Sequence, residues 1–140
     1  MLQHDIILYH FTSDRHVNLC LTEGITRGVT YAGQSCTGLR FLRPTQWLTC
    51  RGNFNQLWNV QASLPYDRTA HRLTVCIPQK YTENILPWVS HGPLLVPKTY
   101  SELSNCGDPE NWFLYLGTIP PEWIVERITK ISVMGENYGS

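Results

Sequence analysis

Several patterns that mark common classes of protein are missing from this sequence. Its five cysteines include no Cys-x-x-Cys pair and the N-terminal residues lack a signal-peptide pattern, so we expect neither a zinc site nor a disulfide framework. No apolar run approaches the roughly 20 residues that a membrane-spanning helix needs. A Gly-x-Ser-x-Gly motif, which would indicate a serine nucleophile, is also absent. These absences predict a cytoplasmic protein with reduced cysteines and no membrane partner.

The chain is rich enough in apolar side chains to form a packed core. Hydrophobic residues make up 42% of the 140 residues and aromatic residues 11%, proportions typical of a globular rather than a disordered chain. A chain of this length buries about two-thirds of the surface that its unfolded form exposes. With no internal repeat or low-complexity tract, the sequence predicts a single domain over residues 1–140.

Charge is distributed unevenly, although the formal net charge is +0. Residues 27–72 contain no lysine and one acidic residue, Asp67, against a set of arginines: Arg27, Arg40, Arg43, Arg51, Arg68 and Arg72. From Glu83 onward, acidic residues outnumber basic ones. Because the planar guanidinium group binds phosphate and carboxylate in a bidentate way, the arginine-rich middle favours recognition of such groups.

The early run of residues 5–11 predicts a strand that organises the rest of the fold. Ile6, Leu8 and His10 alternate with Ile7 and Tyr9, which is the period of a strand with two different faces. A short helix over residues 14–22 follows, and its start would leave His10 exposed at a strand-to-helix junction. Such a position suits a functional side chain because a rigid element holds it.

The remaining pattern predicts a small α+β domain built mostly of antiparallel strands with one or two short helices. Further strands are expected at residues 46–50, 71–77, 112–116 and 125–133. Residues 26–45 are predicted to be a long loop with one short strand near 39–42, and the segment from Phe54 to Trp58 to form one or two helical turns. Three prolines disrupt residues 79–108, where only a turn of helix near 100–103 is expected.

Three short pieces of the sequence follow one another in an order that resembles a known family. They are Tyr9-His10-Phe11-Thr12, then Gln46-Trp47-Leu48-Thr49, then Glu110-Asn111-Trp112-Phe113-Leu114-Tyr115. The order resembles the ADP-ribosyltransferases, in the branch of the diphtheria-type toxins and the poly-ADP-ribose polymerases. In that branch an early strand ends in histidine and a hydroxyl residue, a middle strand carries an aromatic residue, and a glutamate introduces a late strand.

This resemblance implies a split β-sheet and a reaction that uses NAD as co-substrate. The enzyme would cleave the bond between nicotinamide and ribose and transfer ADP-ribose to a macromolecular acceptor, a protein or a nucleic acid. A small domain of this kind would fit a toxin or a phage or bacterial effector. Two positions depart from the family pattern: Trp47 stands where tyrosine is usual, and Glu110 lies one residue further from its strand, with Asn111 in the nearer place.

The resemblance also implies which residues hold NAD. His10 would bind the nicotinamide ribose and Thr12 the carboxamide, while Trp47, with Tyr9 or Phe54, would stack on the nicotinamide ring. Glu110 would stabilise the oxocarbenium-like charge that develops as nicotinamide departs. The pyrophosphate would be held by two arginines of the basic middle, Arg51 and Arg72.

Two alternatives use the same residues differently. A two-histidine phosphoesterase would pair His10-Phe11-Thr12 with His71-Arg72-Leu73-Thr74, although the second motif has one residue too many, which turns its threonine to the other strand face. A non-enzymatic module would bind nucleic acid or a protein partner through exposed aromatic residues and arginines, namely Trp47, Phe54, Trp58, Arg51 and Arg68. Its binding to nucleic acid would weaken steeply with salt.

Overall fold

A computed structural model describes residues 4–34, 40–56, 66–95, 100–105 and 107–130. These residues form seven strands, which are β1 (Ile6–Thr12), β2 (Val29–Gln34), β3 (Arg40–Thr49), β4 (His71–Ile77), β5 (Ile85–Pro87), β6 (Trp112–Leu116) and β7 (Ile124–Thr129). They also form three short helices, α1 (Val17–Glu23), α2 (Trp88–Leu95) and α3 (Tyr100–Ser104). Turns of 3-10 helix lie at Gln79–Asn84, Pro109–Asn111 and Pro121–Trp123. The small α+β class is therefore confirmed.

The strands pair antiparallel throughout, in the order β5-β6-β3-β1-β4-β7, and β2 pairs with the first half of β3. β1 and β4 form a continuous ladder from Ile6–Ile77 to Thr12–His71. By contrast, β1 and β3 pair at a single position, Tyr9 with Thr49. The two halves of the sheet therefore separate beyond Tyr9, toward the C-terminal end of β1.

The main core covers one face of the sheet. Leu73, Val75 and Ile77 of β4 are fully buried there, and Val17 and Cys20 of α1 pack against the same cluster. Arg72 and Thr74 alternate with these residues and face the other side, as the pattern of this strand predicts. A second, smaller cluster of Trp88, Trp112 and Leu114 packs on that other side.

Several predicted boundaries were wrong. Residues 26–45 were expected to be a long loop with one short strand near 39–42, but residues 29–34 form β2, and residues 40–49 form one continuous strand, β3, that includes most of the strand expected at 46–50. Residues 85–95 form β5 and α2 although they contain Pro87 and Pro93. Helix α1 begins at residue 17 rather than 14, because Ser13 accepts the backbone N–H groups of His16 and Val17 in a preceding turn. The described residues 53–56 are not helical, and residues 57–65 and 131–133 lie outside the described part of the chain.

Candidate functional site

A pocket with a volume of about 490 Å³ opens where β1 and β3 separate. β1 contributes His10 and Thr12 to its wall, and β3 contributes Gln46 and Trp47. The rest of the wall comes from α1, from His16 just before it, and from residues 24–28 just after it. The volume lies within the range of about 300–1,000 Å³ that small-molecule sites occupy.

Residues 24–28, which we call the strap, cross from the end of α1 to the sheet. Gly24 has φ of +91°, and a Cβ there would lie 2.1 Å from the carbonyl oxygen of Ile119. Ile25 and Ile119 exchange backbone hydrogen bonds of 2.8 and 3.0 Å. At the other end, a Cβ on Gly28 would lie 2.1 Å from the carbonyl oxygen of Thr45. The strap therefore needs glycine at both ends, because only glycine permits so close an approach to the sheet.

Gln46 ties the strap to the strands behind it. Its side chain is 1% exposed, and its Oε1 accepts the backbone N–H of Gly28 at 2.9 Å. Its Nε2 donates to the carbonyl oxygen of Gly117, just after β6, at 3.0 Å. Because one buried amide connects three segments, the rear wall of the pocket is fixed before any ligand binds.

The hydrogen bond between His10 and Trp47 determines which ring nitrogen of His10 carries the proton. Its Nδ1 lies 2.9 Å from the carbonyl oxygen of Trp47, and a carbonyl only accepts, so Nδ1 carries the proton. Burial lowers the pKa of His10 below its ordinary value, and the hydrogen bond to Trp47 opposes this only in part. The ring is therefore neutral at pH 7, and Nε2 has a free lone pair.

Three further pocket residues carry chemistry that the sequence did not single out as parts of a site. His16 stands before α1 with its Nδ1 2.9 Å from the Oγ of Ser13. Arg27 lies exposed on the strap, and its guanidinium group makes no hydrogen bond or ion pair to the described residues. Burial raises the pKa of Cys20, so that its thiol stays protonated and serves as an apolar wall. The sequence signals for this segment were the glycines on either side of Arg27 and the place of Arg27 in the arginine-rich middle.

Trp47 lines the pocket and also joins the aromatic cluster on the other face of the sheet. Its ring centroid lies 4.8 Å from that of Trp88 and 5.7 Å from that of Trp112. The Trp88 ring stacks in turn on Tyr100. Much of the Trp47 ring is thus engaged in packing, and 38% of the residue stays exposed.

Tyr9, Phe54 and Arg72 form a separate group, on the sheet face opposite His10. The Arg72 guanidinium lies 4.9 Å from the Tyr9 ring centroid and 5.9 Å from that of Phe54. Arg72 donates to the carbonyl oxygen of Gly52 at 2.7 Å and lies 3.5 Å from Glu126. The structure brings these three predicted residues together, but not with His10 and Thr12.

Arg51 lies just after the end of β3, and Glu110 lies in the 3-10 turn before β6. Arg51 forms an ion pair of 3.2 Å with Asp108, whose side chain also accepts from the indole N–H of Trp112. Glu110 is exposed in the turn that precedes β6 and does not line the pocket. The three strands that carry the predicted pieces are nevertheless neighbours, because β3 pairs with both β6 and β1.

His71 is held by its neighbours. Its Nε2 contacts a carboxylate oxygen of Asp14 and its Nδ1 lies 3.1 Å from the hydroxyl of Thr129. Both ring nitrogens are therefore engaged, and His71 does not line the pocket that contains His10. The histidine that shares this pocket is His16.

Comparison with protein-family models, with curated proteins and with solved structures found no match. Within the described residues, no three His, Cys, Asp or Glu side chains are grouped so that they could hold a metal ion. None of the helices described is both long and apolar enough to cross a membrane. The pocket geometry is therefore the basis for any functional assignment.

Proposed function

We propose that the chain is an NAD-dependent ADP-ribosyltransferase-like domain whose pocket between β1 and β3 binds NAD. The observation that carries this proposal is His10, a neutral histidine with a fixed tautomer that lines a pocket of about 490 Å³ at the point where the sheet divides. The macromolecular acceptor would be a protein or a nucleic acid, as expected of a small toxin or effector. The order of the three sequence pieces supports the same assignment, because their strands are adjacent.

The nicotinamide ribose is placed by β1 in this proposal. His10 Nε2 would accept a hydrogen bond from a ribose hydroxyl, because it is the unprotonated nitrogen of the ring. Thr12, two residues along the same strand face, lines the pocket beside it and would bind the carboxamide. The part of Trp47 that stays exposed would supply the surface for the nicotinamide ring.

The pyrophosphate is assigned to Arg27 rather than to Arg51 or Arg72. Asp108 already engages Arg51, and Glu126 and Gly52 engage Arg72. Arg27 lines the pocket without such a partner among the described residues. A guanidinium group that has no protein partner loses no ion pair when it binds a phosphate.

Glu110 keeps the role of stabilising the positive charge on the ribose as nicotinamide leaves. It is exposed in the 3-10 turn that leads into β6, the strand next to β3, and its carboxylate makes no hydrogen bond or ion pair to the described residues. It would therefore meet NAD from the end of β3, outside the enclosed part of the pocket.

The test is nicotinamide release from NAD, with transfer of labelled ADP-ribose to macromolecules of a cell lysate. We expect His10→Ala and Glu110→Gln to lower both by at least about 100-fold, which is typical when a transition-state contact is lost. His91→Ala, a histidine on α2 away from the pocket, is the matched control.

Other results would point elsewhere. Full turnover in Glu110→Gln would remove Glu110 from the mechanism. Hydrolysis of a phosphodiester without NAD would support the phosphoesterase alternative. No turnover of NAD by the native chain, together with salt-sensitive binding to nucleic acid, would replace the proposal by the binding module.

A further inference from the structure

We propose that His16 is the general base that activates the acceptor hydroxyl for attack on the ribose. This inference rests on the proposed function, since it concerns the second half of the same reaction. The ionisable side chains that line the pocket are those of His10, His16, Arg27 and Cys20. No carboxylate of the described residues lines this pocket. An acceptor that enters it must therefore lose its proton to an imidazole or to solvent.

The two histidines are not equivalent. His10 lies inside the pocket, and its Nε2 is assigned to the ribose of NAD. His16 is exposed at the N-terminal end of α1, so it meets solvent while it also lines the pocket. An acceptor approaching a bound NAD from solvent would therefore pass His16.

Two neighbours hold the His16 ring. The Oγ of Ser13 lies 2.9 Å from Nδ1, and Ser13 is 2% exposed, so this hydroxyl is itself fixed in place. The ring of Tyr66 meets the imidazole edge to face, with centroids 6.1 Å apart. A base whose second nitrogen is held by another group is the usual arrangement for proton abstraction from a nucleophile. The tautomer that donates its Nδ1 proton to Ser13 leaves Nε2 as the base.

The proposed step balances in atoms and charge. The bond between ribose C1′ and the nicotinamide nitrogen breaks, and its electron pair leaves with neutral nicotinamide. The acceptor oxygen forms a bond to C1′, and its proton passes to Nε2 of His16, which later releases it to water. Departure of nicotinamide does not require this proton transfer, because it leaves an ADP-ribosyl oxocarbenium ion that either returning nicotinamide or the acceptor can trap. The two halves of the reaction can therefore be measured separately.

Water is the simplest acceptor, and it provides the probe. Hydrolysis of NAD to ADP-ribose and nicotinamide requires the base, whereas exchange of labelled nicotinamide into NAD requires only cleavage and reformation of the C1′–N bond. We expect His16→Ala to lower hydrolysis by about 100-fold or more, the usual contribution of a general base, and to leave exchange within about twofold of the native rate. Added imidazole should restore hydrolysis in His16→Ala but not in His10→Ala.

Two further variants separate chemistry from folding. His16→Asn keeps a hydrogen-bonding group near Ser13 but has no base, so it should lose hydrolysis as His16→Ala does. Ser13→Ala should lower hydrolysis less, because it only releases the ring. His91→Ala remains the control for loss of a histidine.

The outcomes are distinguishable. A native chain that neither hydrolyses NAD nor exchanges nicotinamide overturns the proposed function, and this inference with it. A native chain that does both, with His16→Ala or His16→Asn hydrolysing NAD at the native rate, overturns the inference alone. So does a His16→Ala chain in which exchange falls as far as hydrolysis, or in which imidazole restores nothing.

Discussion

The two faces of β1 differ in whether the polar groups beside them already have hydrogen-bond or ion-pair partners. On the face of Tyr9, both terminal nitrogens of Arg72 are engaged, by Gly52 and Glu126, and aromatic rings cover its guanidinium plane. On the face of His10, the imidazole keeps a free nitrogen, and Arg27 makes no ion pair to the described residues. The terminal nitrogens of Arg72 are thus already engaged, whereas His10 and Arg27 keep groups that no described residue engages.

This difference shows why residue type alone is a poor guide to a binding site. The Tyr9 face has the composition that suggests stacking and phosphate recognition, yet both terminal nitrogens of its arginine are already engaged, and only the buried Nε makes no hydrogen bond. A ligand there would have to replace existing contacts, and breaking a partly buried ion pair costs more than binding a free cation gains. The ligand is therefore expected on the face where polar groups still lack protein partners.

The largest expected effect concerns the aromatic cluster, which we infer to be structural. Trp88 is 1% exposed, packs against Trp47, Trp112 and Tyr100, and donates its indole N–H to Ser104 at 2.9 Å. Trp88→Ala should lower the free energy of unfolding by about 3–5 kcal/mol, because it opens a cavity and removes ring contacts. Denaturant unfolding at pH 7 measures this.

The neighbouring residue on the same helix is the control. Val89 is 47% exposed, and Val89→Ala should change stability by no more than about 0.5 kcal/mol. If Trp88→Ala cost as little as Val89→Ala, the cluster would not be a structural core, and a ligand-stacking role for this side of the sheet would regain support.

The next effect compares the two arginines directly. Arg27→Ala should raise the Kd for NAD by about 10–100-fold, the equivalent of about 1.5–3 kcal/mol for a lost hydrogen bond to a charged group, with little change in stability. Arg72→Ala should do the reverse and lower the free energy of unfolding by about 2 kcal/mol, because Glu126 and the Gly52 carbonyl lose their donor. Titration calorimetry and denaturant unfolding measure the two quantities.

Arg127→Ala, an exposed arginine of β7, controls for a general loss of positive charge. A loss of NAD affinity in Arg72→Ala, with Arg27→Ala unaffected, would reverse the comparison and place the pyrophosphate on the Tyr9 face.

The strands with regular alternation could be predicted from the sequence, and the irregular ones could not. β1 and β4 carry apolar residues with a period of two, β6 is a continuous run of apolar and aromatic residues, and all three lie close to their predicted bounds. β5 was not predicted because it contains Pro87. A strand at the edge of the sheet tolerates proline, because one side of its backbone needs no partner strand. The predicted β3 was too short because Pro44 was taken to interrupt it. Pro44 in fact lies at the point where the partner strand of β3 changes from β2 to β6.

The site was predicted in part for a similar reason. His10, Thr12 and Trp47 lie on strands whose order could be inferred, and the structure brings all three to one pocket. Arg27 reaches the same pocket only because the strap approaches Ile119 and Thr45, contacts between residues far apart in the chain. No local pattern encodes such contacts. The separation of Tyr9 from His10 follows from alternation, but which face holds the pocket does not.

The smallest expected effect lies away from both faces and tests whether a polar cluster contributes to stability without serving a ligand. Partial burial by itself would raise the pKa of Asp67, but Lys130 at 2.7 Å and the hydroxyl and N–H of Thr69 together lower it to about 2 from the ordinary 3.8. A carboxylate with a depressed pKa stabilises the fold at pH values above its ordinary pKa, and this contribution is lost as the pH falls from about 4 to about 2.

Because Asp67 is 41% exposed, solvent screening reduces its contribution to about 1 kcal/mol. Asp67→Asn should therefore cost about that amount at pH 7 and almost nothing near pH 2, whereas Glu83→Gln, an exposed control, should cost little at either pH. An equal loss at both pH values would show that the Asp67 side chain acts through its neutral hydrogen bonds and not through its charge.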